Sequence, residues 1–329
     1  MKSFYKRLLT GIFILAVLVA GFWLKTVSPI FMDALILFIS VMAIIEVGRA
    51  ITPKFSRPLY FIALGHLFAS YALILIGTHT EWLQPASRYS TLLYISIELP
   101  VVFIILLLSA FFIKPGPATE QIKNPQFDGN SSNSDKSAET AGKKTLHTGL
   151  PTVFSTSFLL FYPAVLLIFL LSLNNIVSGG GADLSMFGLI MLFAVSLFSD
   201  TGAYFVGIIF KGPKLCPNIS PKKTISGAVG GLLGGAAGAL AACALFSLDF
   251  LLPNILGGQT FGLHHYFIMG VLGSAFTQAG DLAASYIKRY CGIKDYSNVF
   301  PGHGGFMDRL DGLIFNSIFV YFYLMIILV

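Results

Sequence analysis

A dense group of polar residues near the end of this apolar sequence combines side-chain types that bind phosphate and divalent cations. Lysine and arginine neutralise phosphate charge, glycine lets the backbone approach a phosphate closely, and neighbouring aspartates can hold Mg²⁺. The group therefore indicates a site for a nucleotide or pyrophosphate. Its members are Ser285, Lys288, Arg289, Lys294, Asp295, Gly302, His303, Gly304, Gly305, Asp308, Arg309 and Asp311.

A second polar segment follows an apolar run that contains Asp200. An ionisable residue in such a run indicates a function or a buried partner. The basic loop at 211–224 precedes a glycine-rich stretch at 227–238, and a basic loop at the start of a helix can present N–H groups and lysine charge to a phosphate. The same residues are equally compatible with an ordinary positive anchor beside a glycine-packed helix. The candidate phosphate-binding residues of the loop are Ser220, Lys222 and Lys223.

The composition places this polar chemistry in a membrane protein. Charged residues make up 11% of the 329 residues and apolar residues 55%, and the mean hydropathy is +0.80. Long apolar runs favour an all-α polytopic integral membrane protein. The net charge of +6 is expected in loops that face anionic lipid, so we expect membrane-lipid partners and no nucleic acid. The three cysteines lack CxxC spacing, which predicts neither a zinc site nor a disulfide framework.

Nine apolar runs have about the 20 residues that cross the hydrocarbon core of a bilayer. Of the 21 lysines and arginines, 19 fall in segments on the N-terminal side of the membrane, and only Lys25 and Arg88 fall on the other side. The positive-inside rule then places the N-terminus and every chemically rich loop in the cytoplasm. We expect the inner (cytoplasmic) membrane of a bacterium. The runs are 8–24, 30–48, 59–77, 91–113, 153–173, 186–210, 226–247, 262–287 and 312–329.

A polar stretch divides these runs into two groups. Residues 114–152 have little apolar content and are predicted to be a disordered cytoplasmic linker. We therefore expect an N-terminal four-helix membrane region, 1–113, and a C-terminal five-helix catalytic membrane region, 153–329. The first apolar run has a basic start like that of a signal peptide, but no Ala-x-Ala pattern follows, so a retained span is favoured.

Three acidic residues lie in the N-terminal runs, where a charge is costly in hydrocarbon. Asp33 and Glu46 are near enough to the ends of their runs to reach polar surroundings there. Glu98, which shortly precedes Pro100, is the more serious candidate for marking a polar cavity.

The polar segments resemble the signature of the phosphatidate cytidylyltransferases, also called CDP-diacylglycerol synthases. That signature runs Ser, two residues, Lys-Arg, four residues, Lys-Asp, and later His-Gly-Gly, two residues, Asp-Arg, one residue, Asp, as at 285–311. Residues 199–204 and 219–224 resemble the family's Ser-Asp-Thr-x-Ala-Tyr and Ile-Ser-Pro-Lys-Lys-Thr, and 278–282 its Gln-x-Gly-Asp-Leu. The family usually has Glu where this chain has Ser226; if that Glu contacts substrate or metal, activity would be reduced or the substrate altered.

The resemblance covers 186–320 and implies transfer of a cytidylyl group from CTP to phosphatidate, which yields CDP-diacylglycerol and pyrophosphate, with Mg²⁺ as cofactor. It implies that Asp281 and Asp308 are the metal ligands, that Asp311 supports them, and that Arg309 binds a phosphate or orients Asp308. The implied catalytic residues are Asp281, Asp308, Lys223 and Arg309. The implied substrate-binding residues are Lys222, Ser220, Lys288, Arg289, His303, Gly304, Gly305, Asp200 and Asp311.

Other interpretations stay open at this stage. The carboxylates could simply form interfacial ion pairs, Asp308 with Arg309 and Asp311 with Lys288. The chain could be an anionic-lipid transporter, although outside loops almost devoid of charge offer it no exit site. It could also be a non-catalytic relative or an enzyme with another anionic lipid acceptor. The glycine-rich stretch at 227–238 could join two copies in a homodimer or pack within one chain.

Overall fold

The computed structural model describes residues 2–79, 100, 104, 150–176, 183–247 and 261–328, and within them the chain is almost entirely helical. The elements are α1 (Lys2–Val27), α2 (Pro29–Ile51), α3 (Tyr60–His79), α4 (Leu150–Leu159), a π-helical turn (Leu160–Val165), α5 (Leu166–Asn174), α6 (Leu184–Phe210), β1 (Lys214–Cys216), β2 (Ser220–Thr224), α7 (Ile225–Phe246), α8 (Leu263–Tyr290), α9 (Met307–Tyr323) and a final π-helical turn (Leu324–Leu328).

The prediction of an all-α polytopic membrane protein is confirmed. Seven helical segments among the described residues are long and apolar enough to cross a bilayer; they are Leu8–Val27, Pro29–Ile51, Tyr60–Gly77, Pro151–Asn174, Leu184–Phe210, Ile225–Phe246 and Met307–Ile326. The predicted count of nine is not confirmed. The run 91–113 lies outside the described residues apart from positions 100 and 104.

The remaining predicted run, 262–287, forms the 28-residue helix α8. At 1.5 Å per residue α8 is about 42 Å long, which is enough to cross a bilayer. It is nevertheless the least apolar of the long helices, because it carries two histidines and the polar segment that begins at Gln278. The helix that supplies most of the predicted chemistry is thus the one whose composition departs furthest from a plain membrane span.

Helix α2 connects the N-terminal helices to the C-terminal bundle. It contacts α1 and α3 as well as α5 and α9, and its residues Ala43, Ile44 and Val47 are fully buried in an apolar core that includes both regions. Most of the predicted linker, 114–152, lies outside the described residues, and its last residues already belong to α4. The division into 1–113 and 153–329 stays a prediction.

Glycines bring α6 and α7 into close contact. A Cβ atom on Gly202 of α6 would lie 2.5 Å from the carbonyl oxygen of Gly230, and one on Gly234 would overlap the carbonyl oxygen of Phe198. Side chains at these positions would force the two helices apart. The stretch at 227–238 is therefore used for packing within the chain, and the homodimer stays a prediction.

A polar cluster lies where α1 and α5 end and α2 and α6 begin, and we call it the far cluster. Asp33 is 1% exposed and accepts hydrogen bonds at 2.8 to 3.1 Å from three side chains, those of Asn174, Asn175 and Tyr71. Asp33 thus reaches polar groups near the end of its span, but these groups are protein side chains that enclose its carboxylate. The members of the far cluster are Lys25, Asp33, Tyr71, Asn174, Asn175, Asp183 and Ser185.

Candidate active site

The basic loop predicted at 211–224 contains a short antiparallel β-hairpin that leads directly into α7. Thr224 ends the hairpin and caps the helix, because its hydroxyl accepts a hydrogen bond from the backbone N–H of Gly227 at 3.0 Å. The hairpin thereby holds Lys222 and Lys223 at the N-terminus of α7, where the helix dipole favours anions.

Ser226 occupies the position where the resemblance leads us to expect Glu. Its hydroxyl donates a hydrogen bond to the carbonyl oxygen of Lys211 and lies 3.1 Å from the hydroxyl of Thr224. Lys211 has a φ of 51°, which residues other than glycine rarely adopt. Ser226 therefore connects the start of α7 with Lys211, the residue that directly follows α6.

The first ion pair of the site joins the hairpin to α8. Nζ of Lys223 lies 2.6 Å from Oδ2 of Asp281, and the two side chains are 27% and 33% exposed. One turn further along α8, Ser285 donates a hydrogen bond to Oδ1 of Asp281 at 3.4 Å. Arg289 donates from Nε to the carbonyl oxygen of Ile219 in the hairpin, also at 3.4 Å. Because this ion pair is partly exposed, an incoming polyanion can compete for its lysine.

The second ion pair joins α8 to the first turn of α9. Nζ of Lys288 lies 2.8 Å from Oδ1 of Asp308 and 3.8 Å from Oδ2 of Asp311. Oδ2 of Asp308 accepts hydrogen bonds from the backbone N–H groups of Tyr296 and Gly305 at 2.8 and 3.0 Å. Asp308 therefore organises the loop between α8 and α9 and pairs with Lys288 rather than with its neighbour in sequence.

The glycine turn before α9 places backbone directly against Asp308. Gly302 and Gly304 both have a φ of +80°, a conformation that glycine adopts without steric cost. A Cβ atom on Gly304 would also lie 2.7 Å from Oδ2 of Asp308. The side chain of His303 is half-buried in the same turn. The close approach that the glycines were predicted to permit is thus an approach to a carboxylate of the chain itself.

Tyr296 shields the second ion pair from one side. Its ring centroid lies 5.5 Å from Nζ of Lys288, within cation–π range. Burial raises the pKa of the Tyr296 phenol above its ordinary value, and the charge of Asp308 acts in the same direction. The phenol therefore stays protonated at neutral pH and adds no negative charge beside Asp308.

Glu46 of α2 is a residue of the site that the sequence analysis missed. It is 5% exposed, and its carboxylate accepts hydrogen bonds from the hydroxyl of Ser297 at 2.5 Å and from the backbone N–H groups of Met307 at 2.8 Å and Phe306 at 3.1 Å. Glu46 thus satisfies N–H groups at the N-terminus of α9. It thus reaches polar groups near the end of its span, but they belong to the loop before α9 and to the start of α9. Glu98, the acidic residue that the sequence favoured, lies outside the described residues.

Asp200 and Arg309 lie beside the two ion pairs, and both are exposed. The carboxylate of Asp200 interacts electrostatically with Asp281, Lys223 and Arg309. The carboxylate of Asp311 likewise interacts with those of Asp281 and Asp200. The charges from α6, the hairpin, α8 and α9 therefore form one group, which we call the charged group. Its members are Asp200, Lys222, Lys223, Asp281, Lys288, Arg289, Asp308, Arg309 and Asp311.

The described residues contain no cluster of three His, Cys, Asp or Glu side chains that could hold a metal ion by itself. Asp281 and Asp308, the predicted metal ligands, are each bound to a different lysine. Magnesium in nucleotide sites is typically held by one or two carboxylates together with substrate phosphates and water. The oxygen donors of the charged group fit a magnesium ion that binds with a triphosphate, and the metal site stays a prediction.

The structure brings the predicted site residues to one end of the helix bundle. Lys222 is exposed and Ser220 is half-buried on β2, and Arg289 is exposed at the end of α8. Gly304 and Gly305 are buried against the start of α9. The four sequence segments that carry predicted site residues thus meet, although α7 lies between the hairpin and α8 along the chain.

A comparison with protein families matches residues 5–327 to the cytidylyltransferase family. The match includes the N-terminal helices and every predicted site residue. The chain belongs to the cytidylyltransferase family. The family resemblance that the polar segments suggested is therefore confirmed.

Curated relatives of this cytidylyltransferase-family chain carry the name phosphatidate cytidylyltransferase. The protein of Aquifex aeolicus is 38% identical over 168 residues, which cover 51% of this chain and 56% of the relative. Those of Brucella suis and Bacillus subtilis are 40% and 37% identical over 135 and 145 residues, covering 41% and 43% of this chain and 46% and 50% of the relatives. The chain thus matches about half the length of these curated relatives.

The family name describes a chemistry that requires groups of the kind present in the charged group. A cytidylyltransferase must bind a triphosphate, align it with an acceptor and stabilise the charge of the departing phosphates. Lys223 and Lys288 supply cationic charge, and the N-terminus of α7 supplies N–H groups close to the hairpin. All of these lie on helices or on the hairpin that leads into α7.

Proposed function

We propose that this chain is a nucleotidyltransferase that transfers the cytidylyl group of CTP to phosphatidate and forms CDP-diacylglycerol and pyrophosphate for phospholipid biosynthesis. The observation that carries the proposal is the presence of two lysine–carboxylate pairs at one end of the bundle, Lys223 with Asp281 and Lys288 with Asp308. The carboxylates position the lysine side chains, which can exchange these partners for the phosphates of bound substrates. The names of the curated relatives support phosphatidate as the acceptor.

In the proposed reaction an oxygen of the phosphatidate phosphate attacks the α-phosphorus of CTP. A new oxygen–phosphorus bond forms while the bond to the β-phosphate breaks, and pyrophosphate leaves with the bonding electrons. The nucleophile is already an anion, so the chain needs no general base. Its residues have to bring two polyanions together and stabilise the charge on the leaving group.

The residues of the charged group divide this work. Lys222 and Lys223 bind CTP phosphates at the N-terminus of α7, and Lys288 and Arg289 bind them from the end of α8. When a triphosphate displaces Lys223 from Asp281, the carboxylate becomes free for a cation that accompanies the nucleotide. The walls of this site are formed by Ser220, His303, Gly304 and Gly305. Asp200 and Asp311 lie at its edge.

Mg²⁺ is the proposed cofactor, and when bound it offsets the negative charge of the triphosphate. Asp281 and Asp308 are the proposed ligands, with Asp311 in support. Asp281 is the more accessible of the two, with a side chain that is 33% exposed compared with 3% for Asp308. Asp308 keeps the loop before α9 in place through its backbone hydrogen bonds.

The positive-inside pattern supports an orientation with the charged group toward the cytoplasm, where CTP is made. For a bacterial chain this corresponds to the inner membrane. With Cys216, Cys243 and Cys291 replaced by serine, a cysteine introduced at Lys222, which is exposed, should react with an impermeant thiol reagent in inverted vesicles and not in intact spheroplasts.

The proposed function is tested with the full chain purified in detergent, phosphatidate and CTP labelled at the α-phosphate. We expect label to enter the lipid in the presence of Mg²⁺ and not in EDTA. Asp281→Asn and Asp308→Asn should both abolish the transfer. Asp128→Asn, in the predicted linker, is the matched control and should behave as the parent does.

The outcomes separate the alternatives. Binding of CTP without transfer to phosphatidate would replace the proposed acceptor by another anionic lipid. Absence of both transfer and CTP binding in a folded parent would overturn the proposed function and favour a transporter or a non-catalytic relative. Transfer that is equally fast in EDTA would overturn the magnesium requirement alone.

A further inference from the structure

An apolar cavity of about 760 Å³ adjoins the charged group. Its walls come from α1, α2, α5, α6 and α9 and from the loop that precedes α9. Among the described residues that line it, Thr10 and Arg309 are the only polar ones. A compartment of this size and composition favours hydrocarbon and offers almost no partner to a nucleotide.

The cavity is elongated along the helices. Its lining on α1 extends from Leu9 to Leu18 and on α2 from Met32 to Ile39. The stretch on α1 corresponds to about 14 Å of helix at 1.5 Å per residue. At one end, Thr10 donates a hydrogen bond to the carbonyl oxygen of Pro301, at 3.5 Å, so this end lies at the glycine turn of the site. A long apolar space parallel to the bundle fits an extended acyl chain.

Arg309 connects the cavity with the charged group. It lines the cavity, directly follows Asp308 in sequence and interacts electrostatically with Asp200 of α6. Its exposed guanidinium group can bind a phosphate through two hydrogen bonds at once. A phosphate held by Arg309 would lie between the hydrocarbon compartment and the two ion pairs.

We infer that one acyl chain of the anionic glycerolipid acceptor occupies this cavity and that Arg309 binds the phosphate of the same lipid at its mouth. The inference rests on the proposed function and deepens it, because it assigns lipid recognition to α1 and α2. An anionic lipid is favoured over a neutral one, because a guanidinium is the only charge on the described lining. Arg309, which lines the cavity and directly follows Asp308, places its mouth beside the charged group, where the acceptor phosphate reacts in the proposed function.

The first test compares two valines on α1. Val17 lines the cavity, whereas Val19 is 58% exposed on the outer surface of the chain. We expect Val17→Trp to lower kcat/KM for dioleoyl phosphatidate by at least about tenfold, because it fills the space for the chain. Dihexanoyl phosphatidate and the KM for CTP should be unaffected, and Val19→Trp should match the parent on every substrate.

A loss that is equal for short and long chains, or an equal effect of the two tryptophans, would overturn the inference while leaving the proposed function intact. A parent that transfers to no phosphatidate would instead overturn the proposed function. The acyl-chain site is then judged by a measurement that does not need turnover.

That second measurement uses phosphatidate with a diazirine in one acyl chain, crosslinked to the full chain in nanodiscs and mapped by mass spectrometry. The inference expects label on the cavity faces of α1 and α9, loss of that label in Val17→Trp, and its retention in Val19→Trp. Label spread over outward-facing residues would overturn it. Equal labelling by a diazirine phosphatidylcholine would also overturn it, because the cavity would then hold bulk lipid.

Discussion

The charged group and the far cluster are both sets of ionisable side chains among apolar helices, and they differ in how tightly their charges are enclosed. In the far cluster the carboxylate of Asp33 is 1% exposed and receives three hydrogen bonds from fixed side chains. In the charged group the side chains of Lys223 and Asp281 are 27% and 33% exposed. Asp33 has exchanged its water for protein partners, and the Lys223–Asp281 pair has kept access to it. The second pair of the charged group is enclosed as well, since the side chains of Lys288 and Asp308 are 12% and 3% exposed.

This difference shows how to separate structural from functional charges in a membrane protein. A buried charge in an apolar bundle indicates a function by default, yet Asp33 is explained by its amide and hydroxyl partners. A site for polyanions needs cations that are positioned but still able to exchange partners. Substitutions at the two sets should therefore separate activity from stability.

The largest effect on activity is expected for Asp281→Asn. The substitution keeps the size of the side chain and removes its charge, so transfer should fall by at least about 100-fold. A partly exposed ion pair contributes at most about 1 kcal/mol to stability, so the midpoint of thermal unfolding in detergent should hardly change. Initial rates and unfolding measured on the same preparation check both points. A variant that keeps activity but unfolds early would remove the distinction between the two clusters.

A smaller loss is expected for Lys223→Met, which removes one phosphate-binding charge while Lys288 remains. Transfer should fall by about 10- to 100-fold, with a raised KM for CTP. Lys214→Met is the matched control, because Lys214 is exposed on the other strand of the same hairpin. Equal effects of the two variants would indicate a general role of hairpin charge rather than a specific role of Lys223.

Much of this arrangement could be predicted from the sequence, because the helices are determined by apolar length. The run predicted at 186–210 is observed as Leu184–Phe210, and the one at 226–247 as Ile225–Phe246. The resemblance to the family also placed Asp281, Lys288 and Asp308 in a common site. Composition and spacing are local properties of the sequence. The thickness of the membrane sets the length of the apolar helices.

The parts that were missed depend on contacts between distant segments. Nothing near Glu46 in sequence indicates that its partner Ser297 lies 251 residues away. The backbone hydrogen bond from Gly305 to Asp308 follows directly after the positive φ of Gly304, which motif spacing does not specify. The hairpin was missed because β1 has only three residues and lacks the alternating pattern of a strand.

A moderate effect is expected for Glu46, which acts on the site through the loop before α9. Glu46→Ala removes an acceptor for two backbone N–H groups and one hydroxyl, and a lost helix cap costs about 1 kcal/mol. If the displaced loop costs the transition state that amount of stabilisation, kcat falls by about fivefold to tenfold. Glu46→Gln, which keeps an acceptor, should recover part of the loss, and Ser297→Ala should cause a smaller one.

The kinetic constants distinguish positioning from general damage to the fold. A positioning role predicts a lower kcat with an unchanged KM for CTP, because the hairpin lysines are not touched. Equal losses in Glu46→Gln and Glu46→Ala, accompanied by a lower unfolding midpoint, would indicate that Glu46 stabilises the fold, as the far cluster does, and does not position the site.

The smallest effect on activity is expected for Asp33→Asn in the far cluster. The substitution weakens the hydrogen bonds from the amides of Asn174 and Asn175 and removes the charge that faces Lys25. Hydrogen bonds to a charged group contribute about 1.5 to 3 kcal/mol, so the free energy of unfolding in mixed micelles should fall by about that amount. Transfer by the folded fraction should stay at the parental rate, because the far cluster lies where α2 and α6 begin, at the opposite ends of these helices from Glu46 and the hairpin. A loss of transfer with unchanged stability would show that enclosure of a charge does not separate structural from functional residues in this chain.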